Sequence, residues 1–221
     1  MIAIYLKFLA RYTENTMKIE AQQIGKKYIK DWVFNKLDYS FLSGEQYAII
    51  GPNGSGKSTL LQVLAGFVPC TTGEIRYTHS SKMVTEEQLY KNISYASPYL
   101  ENIEEFTLNE LIDFHFKFKK LQFLSSKEEL ISFMYLEKSA NKPIKFFSSG
   151  MKQRTKLGLA FFSQSSLLIL DEPTSNLDKT GIAWYLNLIE KYTANRTLLI
   201  GSNQENEYDF CKHTLSITDY Q

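Results

Sequence analysis

Apolar and polar positions alternate over "MKIEAQQIGKKY", residues 17–28, and again over "WVFNKLDYSFLSGE", residues 32–45. A period of two predicts strands there, broken by Gly25 and by Ser43-Gly44. "QYAIIG", residues 46–51, is a short apolar run ending in glycine, as a buried strand does. After Lys57 the period lengthens. Leu60, Leu61, Leu64 and Ala65 share one helical face, and Gly66 stops the helix. "GEIRYT" and "NISYAS" read as further strands.

Residues 107–121, "TLNELIDFHFKFKKL", open with a Thr107-x-x-Glu110 capping box and carry apolar residues at helical spacing. "SKEELISFMYL" repeats that start with Ser126 and Glu129. "SGMKQRTKLGLAFFSQ" and "TGIAWYLNLIEKY" are further helices, while "SLLILDEP", "RTLLIGS" and "HTLSIT" are further strands. The order predicts an α/β fold: a mostly parallel sheet with an antiparallel β edge, and a helical insert over about residues 100–160.

A chain of 221 residues suits one such domain. The domain is expected to begin at Met17 and run to residue 221. Residues 1–16, "MIAIYLKFLARYTENT", read as a loose extension or an upstream start. They lack a charged segment before the apolar stretch, and Lys7 interrupts it, so a signal peptide is not expected. The competing reading is a short amphipathic helix on a membrane surface, with Ile2, Tyr5, Leu6 and Leu9 on one face. A net charge of +1 gives no electrostatic case for a nucleic-acid partner. Cys70 and Cys211 stand far apart in no metal or disulfide pattern, which fits a reducing cytosol. No run of about 18 apolar residues occurs, so no membrane span is predicted. Many of the 15 Phe and 14 Tyr fall between residues 95 and 135, as either a small helical core or a docking surface.

The chemistry is concentrated in two stretches. Residues 51–59 (Gly51, Pro52, Asn53, Gly54, Ser55, Gly56, Lys57, Ser58, Thr59) match G-x-x-x-x-G-K-[ST] between a strand and a helix. Such a loop wraps backbone N–H groups around phosphate oxygens, and the helix N-terminus adds partial positive charge. Lys57 is expected on the β- and γ-phosphates and Ser58 on Mg²⁺. The buried strand "LLILD" then delivers Asp171 to the metal shell, and Glu172 follows where a carboxylate can deprotonate a water.

With these in place, "FSSGMKQR", residues 147–154, resembles the signature of ATP-binding cassette ATPases, usually L-S-G-G-Q-x-Q-R. "SNLD", residues 175–178, is similar to the D-loop of that family, and the resemblance runs from Met17 to about residue 215. It implies a P-loop NTPase core with a helical signature subdomain, ATP and Mg²⁺ as ligands, and two cassettes paired head to tail. Ser148 and Gly150 of one copy would cover ATP on the other, with Asp178 coupling the two sites. It implies Tyr28, 23 residues before Gly51, as the ring that stacks on adenine, with Trp32 as a rival. It also implies a homodimer or a heterodimer with a related subunit. A separate transmembrane permease would hold the chain at the cytoplasmic face of the membrane.

Three positions depart from the family pattern. Pro98 stands where a Gln usually touches the metal and the attacking water, which leaves Ser97 as the adjacent hydroxyl. Ser149 and Met151 replace a Gly and a Gln of the signature, while Ser148 and Gly150 survive. Asn203 stands where the family usually has a His on the γ-phosphate. An amide donates a hydrogen bond but carries no charge. A slow ATPase powering transport is therefore expected. Two alternatives are a soluble assembly factor of the same type and a nucleotide-gated binding module with little turnover.

Overall fold

The computed structural model describes residues 16–194 and 196–221. The expected extension over residues 1–16, with its alternative amphipathic helix, lies outside them except for Thr16. Among the described residues nine strands are defined: β1 Met17–Tyr28, β2 Asp31–Phe41, β3 Gln46–Ile50, β4 Thr72–His79, β5 Lys82–Val84, β6 Ile93–Ala96, β7 Leu167–Asp171, β8 Thr197–Ser202 and β9 His213–Ser216. Six α-helices of the described residues accompany them: α1 Lys57–Leu64, α2 Glu86–Asn92, α3 Leu108–His115, α4 Lys127–Phe133, α5 Ser149–Phe162 and α6 Lys179–Tyr192.

Five strands form a parallel sheet in the order β6-β7-β8-β3-β9. The antiparallel strands make a sheet of their own, β2-β1-β4-β5. Alternation along β7 and β8 explains why Leu167–Leu170 and Leu198–Ile200 are apolar without a break. Leu168, Leu170, Leu198 and Ile200 pack into one core with the helices of the insert. Leu167, Ile169 and Leu199 face a second core, built with α1 and the antiparallel sheet. A parallel sheet covered on both faces has no polar side to show.

The helical insert departs from its sequence pattern in two places. The helix expected over 107–121 ends at His115. The Lys119 ammonium turns back onto the carbonyls of Tyr90 and Ile93, and Gln122 N–H donates to the Phe162 carbonyl at the end of α5. Thr107 and Glu110 form the full reciprocal capping box. At Ser126 only half of one forms: its hydroxyl accepts from Glu129 N–H, while the Glu129 carboxylate takes the Ser125 N–H instead. The short elements β5 and α2 follow patterns too brief to read from periodicity.

Candidate nucleotide site

The register of the parallel sheet assembles the site. Asp171 pairs with Gly201, and Gly201 pairs with Ile49. One residue on, Ile50 pairs with Ser202. The phosphate loop, the Asp171-Glu172 pair and Asn203 therefore leave adjacent strands at the same carboxyl edge, where α/β sheets bind ligands. Gly201 makes this approach possible: a Cβ there would sit 2.6 Å from Leu61 Cδ1 and 3.3 Å from Asp171 Oδ1.

Residues 51–59 wrap from β3 into α1. Gly56 is the N-cap of α1 at φ +99°, and no side chain caps the first turn. The unfilled N–H groups of such a turn bind anions. A Cβ on Gly56 would meet Val33 Cγ1 at 2.3 Å, so the glycine also lets β2 lie against the loop. Lys57 is buried, and its ammonium donates to the carbonyls of Gly51 and Pro52, each at 3.0 Å. Ser55 is buried as well, and its hydroxyl has no hydrogen-bond partner.

Asp171 is fully buried. Burial pushes its carboxyl pKa up, and the hydroxyls of Ser58, Ser97 and Tyr95 work against that by favouring the charged form. Ser97 Oγ and Tyr95 Oη each lie 3.4 Å from Asp171 Oδ2. Oδ1 is left buried with no hydrogen bond of good geometry. An orphaned carboxylate oxygen beside a serine hydroxyl is the arrangement a Mg²⁺ shell requires. Among the described residues no cluster of three His, Cys, Asp or Glu side chains could hold a metal. Mg²⁺ takes one or two protein ligands and otherwise phosphates and waters.

Glu172 adopts φ +45°, a left-handed conformation rare for a side-chain-bearing residue. Its N–H donates to the Gly201 carbonyl at 2.8 Å, which fixes the turn. Its carboxylate Oε2 has two hydroxyl neighbours, Ser175 Oγ at 3.4 Å and Tyr99 Oη at 3.5 Å. Ser97 is one hydroxyl beside Pro98 that reaches the acids, and Tyr99, on the other side of Pro98, is a second. Ser97 serves Asp171, and Tyr99 reaches Glu172. The signal for Tyr99 was a hydroxyl one residue past Pro98, and only the loop conformation shows where it points.

Asn203 is exposed at the tip of β8, and its amide Nδ2 donates to Asn53 Oδ1 at 2.9 Å. Behind it, Gln204 N–H donates to Ser202 Oγ at 2.9 Å. The tip is thus ordered, and Asn203 is joined to the phosphate loop.

The signature residues lie elsewhere. Ser148 caps α5, accepting from Met151 N–H at 3.3 Å. Ser148, Gly150, Arg154 and Asp178 line a cavity of about 340 Å³, to which no residue of 51–59 contributes. Asp178 caps α6 through Gly181 N–H at 2.7 Å and faces Arg154 Nη2 at 3.5 Å. Tyr28 and Trp32 both stand partly exposed on the β1–β2 hairpin. Lys26 lies 5.0 Å from the Tyr28 ring centre and Lys27 5.4 Å from that of Trp32.

The family pattern described as ABC transporter matches residues 34–175. The chain is 30% identical over 204 residues to the ABC transporter ATP-binding protein YcbN of Bacillus subtilis, covering 91% of this chain and 66% of that one. It is 29% identical over 192 residues to the lantibiotic transport ATP-binding protein SrtF of Streptococcus pyogenes, covering 86% and 82%. A solved structure described as the dimeric form of MJ0796, a bacterial ABC transporter cassette, superposes with a TM-score of 0.77 at 21% identity. It covers 90% of this chain and 94% of that one, a likeness that concerns the fold.

Proposed function

This chain belongs to the ABC transporter family as an ATP-binding cassette, and we propose that it hydrolyses ATP between two paired copies to drive a separate membrane permease. The observation that carries the reading is the common carboxyl edge of β3, β7 and β8. There the phosphate loop, an acid with an orphaned oxygen, a second acid and an amide meet in one row.

The polyphosphate of ATP lies against the N–H groups of residues 51–59, and Lys57 turns from the Gly51 and Pro52 carbonyls to the β- and γ-phosphates. Ser58 and Asp171 would hold Mg²⁺, which when bound neutralises charge on the phosphate oxygens. Glu172 takes the proton of the attacking water as its oxygen bonds to the γ-phosphorus and ADP leaves. Asn203 donates its amide N–H to the γ-phosphate. Tyr28 stacks on the adenine.

Ser148 and Gly150 face a cavity with no share in the phosphate loop of their own chain. They complete the site of a second copy, a homodimer or a related subunit, and Asp178 links the two. No helix among the described residues is long and apolar enough to cross a membrane. In this reading the permease is a separate chain, which holds this one at the cytoplasmic face. Exposed Phe67 and Leu100 line the groove behind β6, a surface for a short helix of that permease.

Phosphate release from MgATP by the purified chain tests the reading, together with recovery of a polytopic protein on affinity purification from solubilised membranes. A second reading, a nucleotide-gated binding module, draws on Pro98 and Asn203, which remove two polar groups the family commonly uses. ATP-dependent pairing with negligible phosphate release would select it.

A further inference from the structure

The loop after β6 carries Pro98 at the position where a polar side chain was expected, yet the loop still reaches the acids. Tyr99 Oη lies 3.5 Å from Glu172 Oε2, at the outer limit of a hydrogen bond. Catalytic contacts are commonly long before substrate binds and tighten in the loaded complex. Ser175 Oγ approaches the same oxygen, so Oε1 is the oxygen left for a water. The negative charge of Glu172 raises the Tyr99 phenol above its ordinary value, so the group stays an O–H donor at neutral pH.

The loop is braced at the two residues before the tyrosine. Tyr99 N–H donates to Ser97 Oγ at 3.2 Å, and Ser97 leans on Asp171. Lys156, on the helix that Ser148 caps, donates its ammonium to the Pro98 carbonyl at 2.6 Å. A core-packing role does not account for Tyr99, which is 70% exposed.

We propose that Tyr99 is the positioning residue for Glu172: its hydroxyl holds one carboxylate oxygen so that the other faces the attacking water. It does through a phenol what Pro98 cannot do through a side chain. Lys156 ties that loop to the signature helix, so closure of a second copy on Ser148 is felt at Glu172. This rests on Glu172 acting as the base for ATP hydrolysis.

Steady-state hydrolysis by the purified full chain tests it. Tyr99→Phe is expected to lower kcat about threefold to tenfold with KM for ATP unchanged, the loss of one hydrogen bond to a charged group in a solvated site. Tyr99→Gln, which keeps an N–H donor, is expected to retain more of the wild-type kcat than Tyr99→Phe. Equal kcat for wild type and Tyr99→Phe overturns the inference alone. So does a fall in kcat matched by a rise in KM, or Tyr99→Gln no better than Tyr99→Phe. No hydrolysis by the wild-type chain overturns the ATPase reading and this inference with it.

Discussion

Asn203 and Asn53 are joined amide to amide at 2.9 Å, which ties the tip of β8 to the phosphate loop. The bond sets Asn203 beside the phosphate loop and occupies one of its N–H groups. In the proposed complex ATP has to compete with Asn53 for that donor, or take the second N–H of the same amide.

That relationship makes Asn203→His a direct measure of what charge contributes here. A charge-assisted hydrogen bond is about twice as strong as a neutral one. An imidazole there is expected to raise kcat by about fivefold to a hundredfold or more, ~1–3 kcal/mol of transition-state stabilisation. ATP affinity, set largely by residues 51–59, is expected to change little. Phosphate release under saturating MgATP checks this, and an unchanged rate would remove Asn203 from the reaction.

Glu172 is held in a left-handed turn by its own N–H and by hydroxyls on one carboxylate oxygen. Glu172→Gln keeps size and hydrogen bonds but cannot take a proton. Hydrolysis is expected to fall by about 10²-fold or more, the usual share of a general base. ATP binding is expected to persist, so a nucleotide-bound dimer accumulates on light scattering after gel filtration. A variant that still turns over at the wild-type rate would place the base elsewhere.

The sequence displays the phosphate loop because all its parts are adjacent in the chain, and the apolar runs of β7 and β8 because a two-sided core leaves them no polar face. Residues far apart in the chain are harder to join. Asn203 stands 150 positions from Asn53, yet a strand end marks its place well enough to suspect phosphate contact. Tyr99 escaped notice because its aim depends on a loop pinned by Lys156 from another helix. The early end of α3 was hidden for a similar reason. Lys119 continues the helical pattern, but its ammonium gains two carbonyls by leaving it.

Gly56 is under two constraints at once, a φ of +99° and the Val33 methyl 2.3 Å from where a Cβ would stand. Gly56→Ala is therefore expected to cost about 2 kcal/mol or more of stability. It is also expected to weaken ATP binding by at least about tenfold, because the shifted turn no longer aims its N–H groups together. Thermal unfolding with and without MgATP reads both effects. Wild-type nucleotide stabilisation in the variant would mean that the loop tolerates the methyl.

His115 gives the fold an acid-sensitive point. Its Nε2 lies 2.7 Å from Ser163 Oγ, and that hydroxyl already donates to the Leu159 carbonyl, so the ring is the donor. A proton added at Nδ1 would be buried near the Lys119 ammonium. Burial first, and Lys119 second, push the His115 pKa down to about 4 from 6.5. The sign follows from linkage. Below 6.5 the unfolded chain takes up a proton that the folded chain refuses until about 4, so stability is intact above 6.5 and falls through that window. Between pH 7.5 and 5 the loss from this one group is about 2 kcal/mol. His115→Gln, which keeps an N–H for Ser163 and cannot titrate, is expected to lose that much less over the same interval. Urea unfolding of the two chains at both pH values measures the difference, and parallel pH profiles would show that His115 protonates freely in the folded state.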